Sequence, residues 1–176
     1  MILRGNDLLK RWYLKSLKPD YRVEDLFKID WAEFKSKGIK FVFLDIDNTL
    51  AEHGSRQADK YAKEAVDLIK SFDLQICILS NALSDRIADY AKSLDVDYMS
   101  QANKPGIKKI MQKISDLNLR ADQTLMIGDQ IFTDIWAGKR AGCVTIMVKQ
   151  RFANEAIQIR FKRKLEQFLF NRYEKG

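Results

Sequence analysis

Through the middle of the chain, short apolar runs alternate with segments whose apolar residues recur every three to four positions. Ile39 to Asp47 is an almost continuous apolar run ending in acids, the pattern of a parallel strand covered on both faces. Gln57 to Phe72 has helical spacing through Ala58, Tyr61, Ala62, Ala65, Leu68 and Ile69. Leu74 to Leu79 is a second apolar run, followed by Ser80-Asn81, and Ser84 to Leu94 is helical, with Ile87, Ala88 and Ala91 on one side. Val96 to Met99 predicts a short third strand. Pro105 suits the first turn of a helix running through Ile107, Ile110, Met111 and Ile114. Thr124 to Ile127 reads as a fourth strand ending at Gly128-Asp129. Thr133 to Ala141 then predicts a short helix closed by Gly142, and Cys143 to Val148 a fifth strand. Such alternation implies a doubly wound α/β fold, a parallel sheet with helices on both faces.

The two ends follow a different pattern. Leu8, Leu9, Trp12, Tyr13 and Leu17 form an apolar stripe that Pro19 terminates. A short second helix is signposted by Asp30 as cap, Glu33 three residues later, and Ile29 stapling to Phe34, with Gly38 as its stop. Near the C-terminus, Ile157, Phe161, Leu165, Phe168 and Leu169 share one helical face, flanked by Arg160, Lys162, Arg163 and Lys164. A basic amphipathic helix of this kind can lie on an anionic bilayer. Alternatively its stripe packs on the sheet and its cations are solvated. The expected organisation is a helical N-terminal extension over 1–38, the α/β domain over 39–149, and a C-terminal basic amphipathic helix over 150–176 packed on or beside it.

Composition narrows the class. With 46% apolar residues and only 2 prolines, the chain can bury a core. Two cysteines and a single histidine exclude a disulfide scaffold, a four-thiolate zinc site and a two-histidine metal motif. Cys77, Cys143, Met99, Met111 and Met126 read as core residues, and His53 as a loop residue. The longest apolar runs are far too short for a membrane span, and the opening Met-Ile-Leu-Arg-Gly-Asn-Asp is too polar for a secretory signal. The expectation is a cytoplasmic protein without a transmembrane segment. The net charge of +7 sits at the ends: residues 1–40 carry +4, residues 149–176 carry +5, and the remainder −2. Basic ends suggest an anionic partner.

Ligands of an open parallel sheet bind beyond the carboxyl ends of its strands. The polar residues predicted there are Asp45, Asp47, Asn48 and Thr49 after the first strand, and Ser80 and Asn81 after the second. Lys104 follows the third strand, Asp129 the fourth, and Asp134 comes five residues later. Each piece alone is ordinary turn or cap chemistry; all of them in order, at the same end of successive strands, are not. Several carboxylates gathered on one rim repel unless a cation joins them, and oxygen ligands with little histidine favour a hard ion such as Mg²⁺.

These residues resemble the four motifs of the haloacid dehalogenase (HAD) superfamily: Asp-x-Asp-x-Thr, a strand-end Ser, a Lys, and Gly-Asp with a further acid. The resemblance implies a phosphatase in which Asp45 is the nucleophile and Asp47 the general acid and base. It implies that Asn48, Thr49, Ser80, Asn81 and Lys104 surround the phosphate. Mg²⁺ would rest on Asp45, Asp129 and the backbone carbonyl of Asp47, with Asp134 close by. No stretch between the motifs can hold a cap domain, so the site is expected to be open, as in capless subfamily III. More finely, Lys18-Pro19-Asp20, Ile29-Asp30, Gly38-Ile39-Lys40, Leu44 to Leu50 and Gly128 to Ile135 resemble the YqeG-type branch of subfamily IIIA, which is similar to phosphatidylglycerophosphatases. That resemblance implies phosphatidylglycerophosphate as substrate, a role in phospholipid biosynthesis, and peripheral contact at the inner face of the membrane through the basic termini. Two other readings stand beside it: a capless phosphatase for soluble sugar, nucleotide or protein phosphates, and a non-enzymatic RNA- or ribosome-binding module. The second lacks an RNA-recognition signature. A two-component receiver domain would place its acid pair and its acceptor on different strands, unlike this chain.

Overall fold

A computed structural model describes residues 5–152 and 157–174. Its centre is a six-stranded, entirely parallel sheet. In chain order the elements are α1 (Gly5–Ser16), β1 (Tyr21–Val23), α2 (Trp31–Ser36), β2 (Phe41–Leu44), α3 (Lys60–Ser71), β3 (Gln75–Leu79), α4 (Ser84–Leu94) and β4 (Asp97–Met99). There follow α5 (Lys108–Asp116), β5 (Thr124–Gly128), α6 (Trp136–Ala141), β6 (Val144–Val148) and α7 (Ile157–Tyr173). The strand order is β1-β6-β5-β2-β3-β4, which puts β2 inside the sheet between β5 and β3.

Successive residues of a strand face opposite sides, and the core divides accordingly. Val42, Leu44, Ile76, Ile78, Leu125 and Ile127 pack under α2, α3 and α4. Phe41, Phe43, Cys77, Leu79 and Met126 pack under α5 and α6 on the other face. A third cluster joins Tyr13 and Leu17 near α1, Ile131 after β5, and Leu169 of α7. Burying a side chain of this size stabilises the fold by roughly 1.5–3 kcal/mol.

Local signals explain most boundaries. The Asp30 carboxylate accepts the Glu33 N–H at 2.9 Å and starts α2, while Gly38 at φ +89° ends its connection to β2. Gly142 at φ +81° closes α6.

Four expectations need correction. The N-terminal segment does not stand outside the alternation, because Tyr21–Val23 pairs in parallel with Ile146–Val148 and extends the sheet edge. Pro105 lies in the loop ahead of α5, whose first residue is Lys108. The helix after β5 begins earlier than Thr133, with a π turn over Ile131–Ile135 that runs into α6. Met111 is exposed rather than in the core. On α7, Leu169 is buried while Leu165 and Phe168 face outward, so the stripe is split between packing and surface. The side chains of Ile157, Arg160, Phe161 and Lys162 lie outside the described residues. No described helix is long and apolar enough to cross a membrane.

Candidate active site

The chain leaves β2 towards β3 on one side and returns later as β5 on the other, so the connections diverge at the carboxyl end of β2. Such a switch point is where open α/β sheets bind ligands. Asp45 stands there, its N–H donating to Ile127 O at 3.0 Å. Lys104 reaches in from the loop after β4: its Nζ lies 2.5 Å from Asp45 Oδ1 and 2.7 Å from Asp134 Oδ1, and donates to Leu79 O at 2.8 Å. All three charged side chains are buried.

Asn81 fixes the entry of that lysine. Its Oδ1 accepts the Lys104 N–H at 2.7 Å and its Nδ2 donates to Lys104 O at 3.0 Å. Asn81 thus lines the cavity, yet its amide is spent on the Lys104 backbone rather than aimed at a ligand. The Ser80 hydroxyl lies beside it and accepts the Ala82 N–H at 3.1 Å. Asn48 and Thr49 are buried in the loop after β2 and do not line the cavity. Thr49 Oγ1 is 3.4 Å from Asp129 Oδ1 instead, and Asn48, at φ +66°, accepts the Arg151 N–H at 2.9 Å.

Asp47 is partly buried on the cavity wall. Arg86 of α4 holds its Oδ2 at 2.7 Å, and His53 Nδ1 lies 3.4 Å from its Oδ1. Asp45, Asp47, His53, Ser80, Asn81, Ala82, Lys104, Gln130 and Thr133 surround a cavity of about 300 Å³. A cavity of about 370 Å³ lies at the amino ends of β2 and β3, near Lys35, Gly38 and Gln75, away from these acids. No domain is inserted between Asp47 and Lys104; the intervening chain is loops, α3, β3, α4 and β4.

Close packing places Asp134. A Cβ on Gly128 would stand 2.4 Å from Asp134 Cγ and Oδ2, so only glycine at the end of β5 lets that carboxylate approach. Asp134 Oδ2 also accepts the Gln130 N–H at 3.1 Å, within the π turn. Asp129 is fully buried, and Arg163 of α7 grips it: one guanidinium nitrogen pairs with Oδ2 and the other donates to Asp129 O at 3.1 Å. Glu166, one turn on, accepts the Ile131 N–H at 2.8 Å and the Phe132 N–H at 3.2 Å.

The charge balance of this centre is incomplete. Burial, and then the charges of Asp134, Asp129 and Asp47, push the Asp45 carboxyl well above the usual range, although Lys104 opposes them. Burial and the charge of Asp134 raise Asp129 to about 7 against the pull of Arg163 and Lys104. For Lys104 burial acts downward, but Asp134 and Asp45 outweigh it and hold the ammonium charged. Asp45, Asp129 and Asp134 each present an oxygen, all within 4.8 Å of one another. Opposite oxygens around an octahedral Mg²⁺ are about 4.2 Å apart. Asp45 Oδ2 is buried without a hydrogen-bond partner among the described residues. All-oxygen donors, an orphaned buried carboxylate oxygen and surplus negative charge fit a hard divalent ion.

Sequence reasoning brought Asp45, Asp47, Ser80, Lys104, Asp129 and Asp134 to one place. It missed Arg86, Arg163 and Glu166, which lie in no motif and are reached only through helix packing.

An all-parallel Rossmannoid sheet that gathers these motif residues at its switch point defines a HAD-type phosphatase. The family model described as mitochondrial PGP phosphatase matches residues 8–152, and the chain belongs to that family. It is 28% identical to a probable phosphatase, YqeG, of Bacillus subtilis, over 90% of each chain. It is 29% identical to the phosphatidylglycerophosphate phosphatase 1 of Arabidopsis thaliana, over 88% of this chain but 47% of that longer one. The cobalt-bound deoxy-D-mannose-octulosonate 8-phosphate phosphatase of Haemophilus influenzae shares the fold, with a TM-score of 0.50 at 17% identity over 80% of this chain and 92% of that one.

Proposed function

We propose that this phosphatase is a Mg²⁺-dependent phosphomonoester hydrolase of HAD subfamily IIIA that dephosphorylates phosphatidylglycerophosphate through an aspartyl-phosphate on Asp45. The observation that carries it is the buried Lys104 bridge between Asp45 and Asp134 at the floor of a cavity whose outer wall holds Asp47. Asp45, Asp129, the Asp47 carbonyl and nearby Asp134 would hold the ion, which when bound neutralises phosphate charge that would otherwise repel a carboxylate nucleophile. Lys104 opposes the burial and like charges that favour a protonated Asp45, and presents a fixed positive charge to the phosphoryl oxygens. Ser80 donates its hydroxyl proton to the same group. Asp45 attacks phosphorus while Asp47 protonates the departing oxygen; Asp47 then takes a proton from the water that hydrolyses the acyl phosphate. Arg86 keeps the Asp47 carboxylate turned towards the cavity, and Asn81 serves the centre by fixing the Lys104 backbone.

The absence of an inserted domain between Asp47 and Lys104 leaves room for a phosphate carried on something large. The named activity of the Arabidopsis relative supports a lipid. So do exposed apolar residues: Leu83 beside the cavity wall, Leu8, Leu9 and Trp12 on α1, and Leu165 and Phe168 on α7. Set among basic side chains, they suit peripheral contact with an anionic membrane. The test compares phosphate release from phosphatidylglycerophosphate in mixed micelles with release from soluble sugar and nucleotide monoesters. The lipid should turn over with far higher kcat/KM; turnover of soluble esters alone would overturn the lipid assignment.

A further inference from the structure

The family match ends at residue 152, and α7 lies beyond it. Yet α7 reaches a buried acid of the metal cluster. We infer that Arg163 is a positioning residue for this phosphatase: it orients the Asp129 carboxylate, so that α7 is a working part of the metal centre. This rests on the assignment of Asp129 as a metal ligand.

The geometry is a two-pronged grip. One guanidinium nitrogen pairs with Asp129 Oδ2 and the other donates to the Asp129 carbonyl at 3.1 Å. Holding the side chain and the backbone of one residue together fixes its torsions. The remaining oxygen, Oδ1, faces Thr49 Oγ1 at 3.4 Å and stays available to an ion. Arginine suits this task because its planar fork fixes direction as well as charge, which a lysine cannot.

The helix carrying Arg163 is itself anchored. Leu169 is buried with Tyr13, Leu17 and Ile131. Glu166 holds the Ile131 and Phe132 N–H groups of the turn that follows Asp129. At the far end, Tyr13 and Arg22 both bond the Glu174 carboxylate. Asp129 sits on a loop, where a ligand needs outside support to keep its direction, and partners of this kind typically account for 10–100-fold in metal affinity.

The test is calorimetric Mg²⁺ binding to the full-length protein, without substrate. Wild type and Lys164→Met, which removes an exposed cation from the same helix, should bind alike. Arg163→Met should bind about tenfold or more weakly, and Arg163→Lys in between. In phosphate release, excess Mg²⁺ should restore much of the kcat of Arg163→Met while its KM for phosphomonoester stays near wild type. Arg163→Met binding Mg²⁺ as tightly as wild type would overturn the inference; tighter binding would make Arg163 a competitor instead. Should Arg163→Met lose its near-UV dichroism, Arg163→Lys decides, and wild-type affinity there overturns the inference. Asp129→Asn separates the two levels: wild-type affinity in that variant, or no binding by wild type, removes the metal assignment itself and this inference with it.

Discussion

Gly128→Ala isolates the packing that sets the site. The added methyl would stand 2.4 Å from Asp134 Cγ and Oδ2, where ordinary contact begins at 3.4 Å, so one side must give by about 1 Å. Gly128 ends β5 in register with Met147 of β6, in a strand held between β6 and β2, so the carboxylate is the part that moves. Its retreat breaks the 2.7 Å contact with Lys104 and withdraws an oxygen from the acidic cluster. A displacement of about 1 Å in a catalytic constellation can cost about 100-fold in rate, and the overpacking itself costs about 1–3 kcal/mol of stability. Gly138→Ala is the matched control: its methyl would meet Thr145 Cγ2 at 2.6 Å and Met126 Cβ at 2.8 Å, in the core and away from the acids. Both variants should melt about 2–12 °C lower. Only Gly128→Ala should lose Mg²⁺ affinity by calorimetry and phosphate release by about two orders of magnitude. Equal residual activity in the two folded variants would refute the reasoning, because general destabilisation would then explain both.

Lys104→Met removes the buried cation between Asp45 and Asp134, and breaking one partner from such a group costs about 3–5 kcal/mol. Metal-free protein should melt about 6–20 °C lower, with turnover lost; an unchanged melting temperature contradicts the bridge. Glu166 predicts a pH effect on stability, because burial raises its carboxyl from 4.5 to about 7 against the N–H groups of Phe132 and Ile131 and the charge of Arg163. Between these values the folded protein keeps a proton that the unfolded chain has released, so stability from this group falls as pH rises through the window, by on the order of 3 kcal/mol. Glu166→Gln should remove that slope and gain on wild type between pH 5 and pH 8 in urea unfolding; parallel curves would contradict it.

The acids of the candidate site were legible because strand-end chemistry is local. Asp45 and Asp47 follow an apolar run, Asp129 follows another, and fold class alone brings such ends to one rim. The capped helix over Trp31–Ser36 was legible for the same reason. Tyr21–Val23 was not: three residues with two exposed side chains carry no period, and only pairing with β6 makes them a strand. The π turn over Ile131–Ile135 arises where Asp134 folds back against Gly128, a constraint no helical periodicity expresses. Arg86 and Arg163 were hidden differently. Among 31 basic residues, nothing in the sequence says which two will meet Asp47 and Asp129; that follows from how α4 and α7 dock. Asn81 was placed correctly along the chain, but its use of both amide atoms on the Lys104 backbone depends on a loop path visible only in three dimensions.

The central claim is that Asp45 attacks the phosphorus of a lipid phosphomonoester. Its most direct test is phosphate release from phosphatidylglycerophosphate in mixed micelles with Mg²⁺, comparing wild type with Asp45→Asn at matched folding. The account predicts steady release by wild type and none above background for Asp45→Asn. Sustained release by the variant would remove Asp45 as nucleophile and contradict the account.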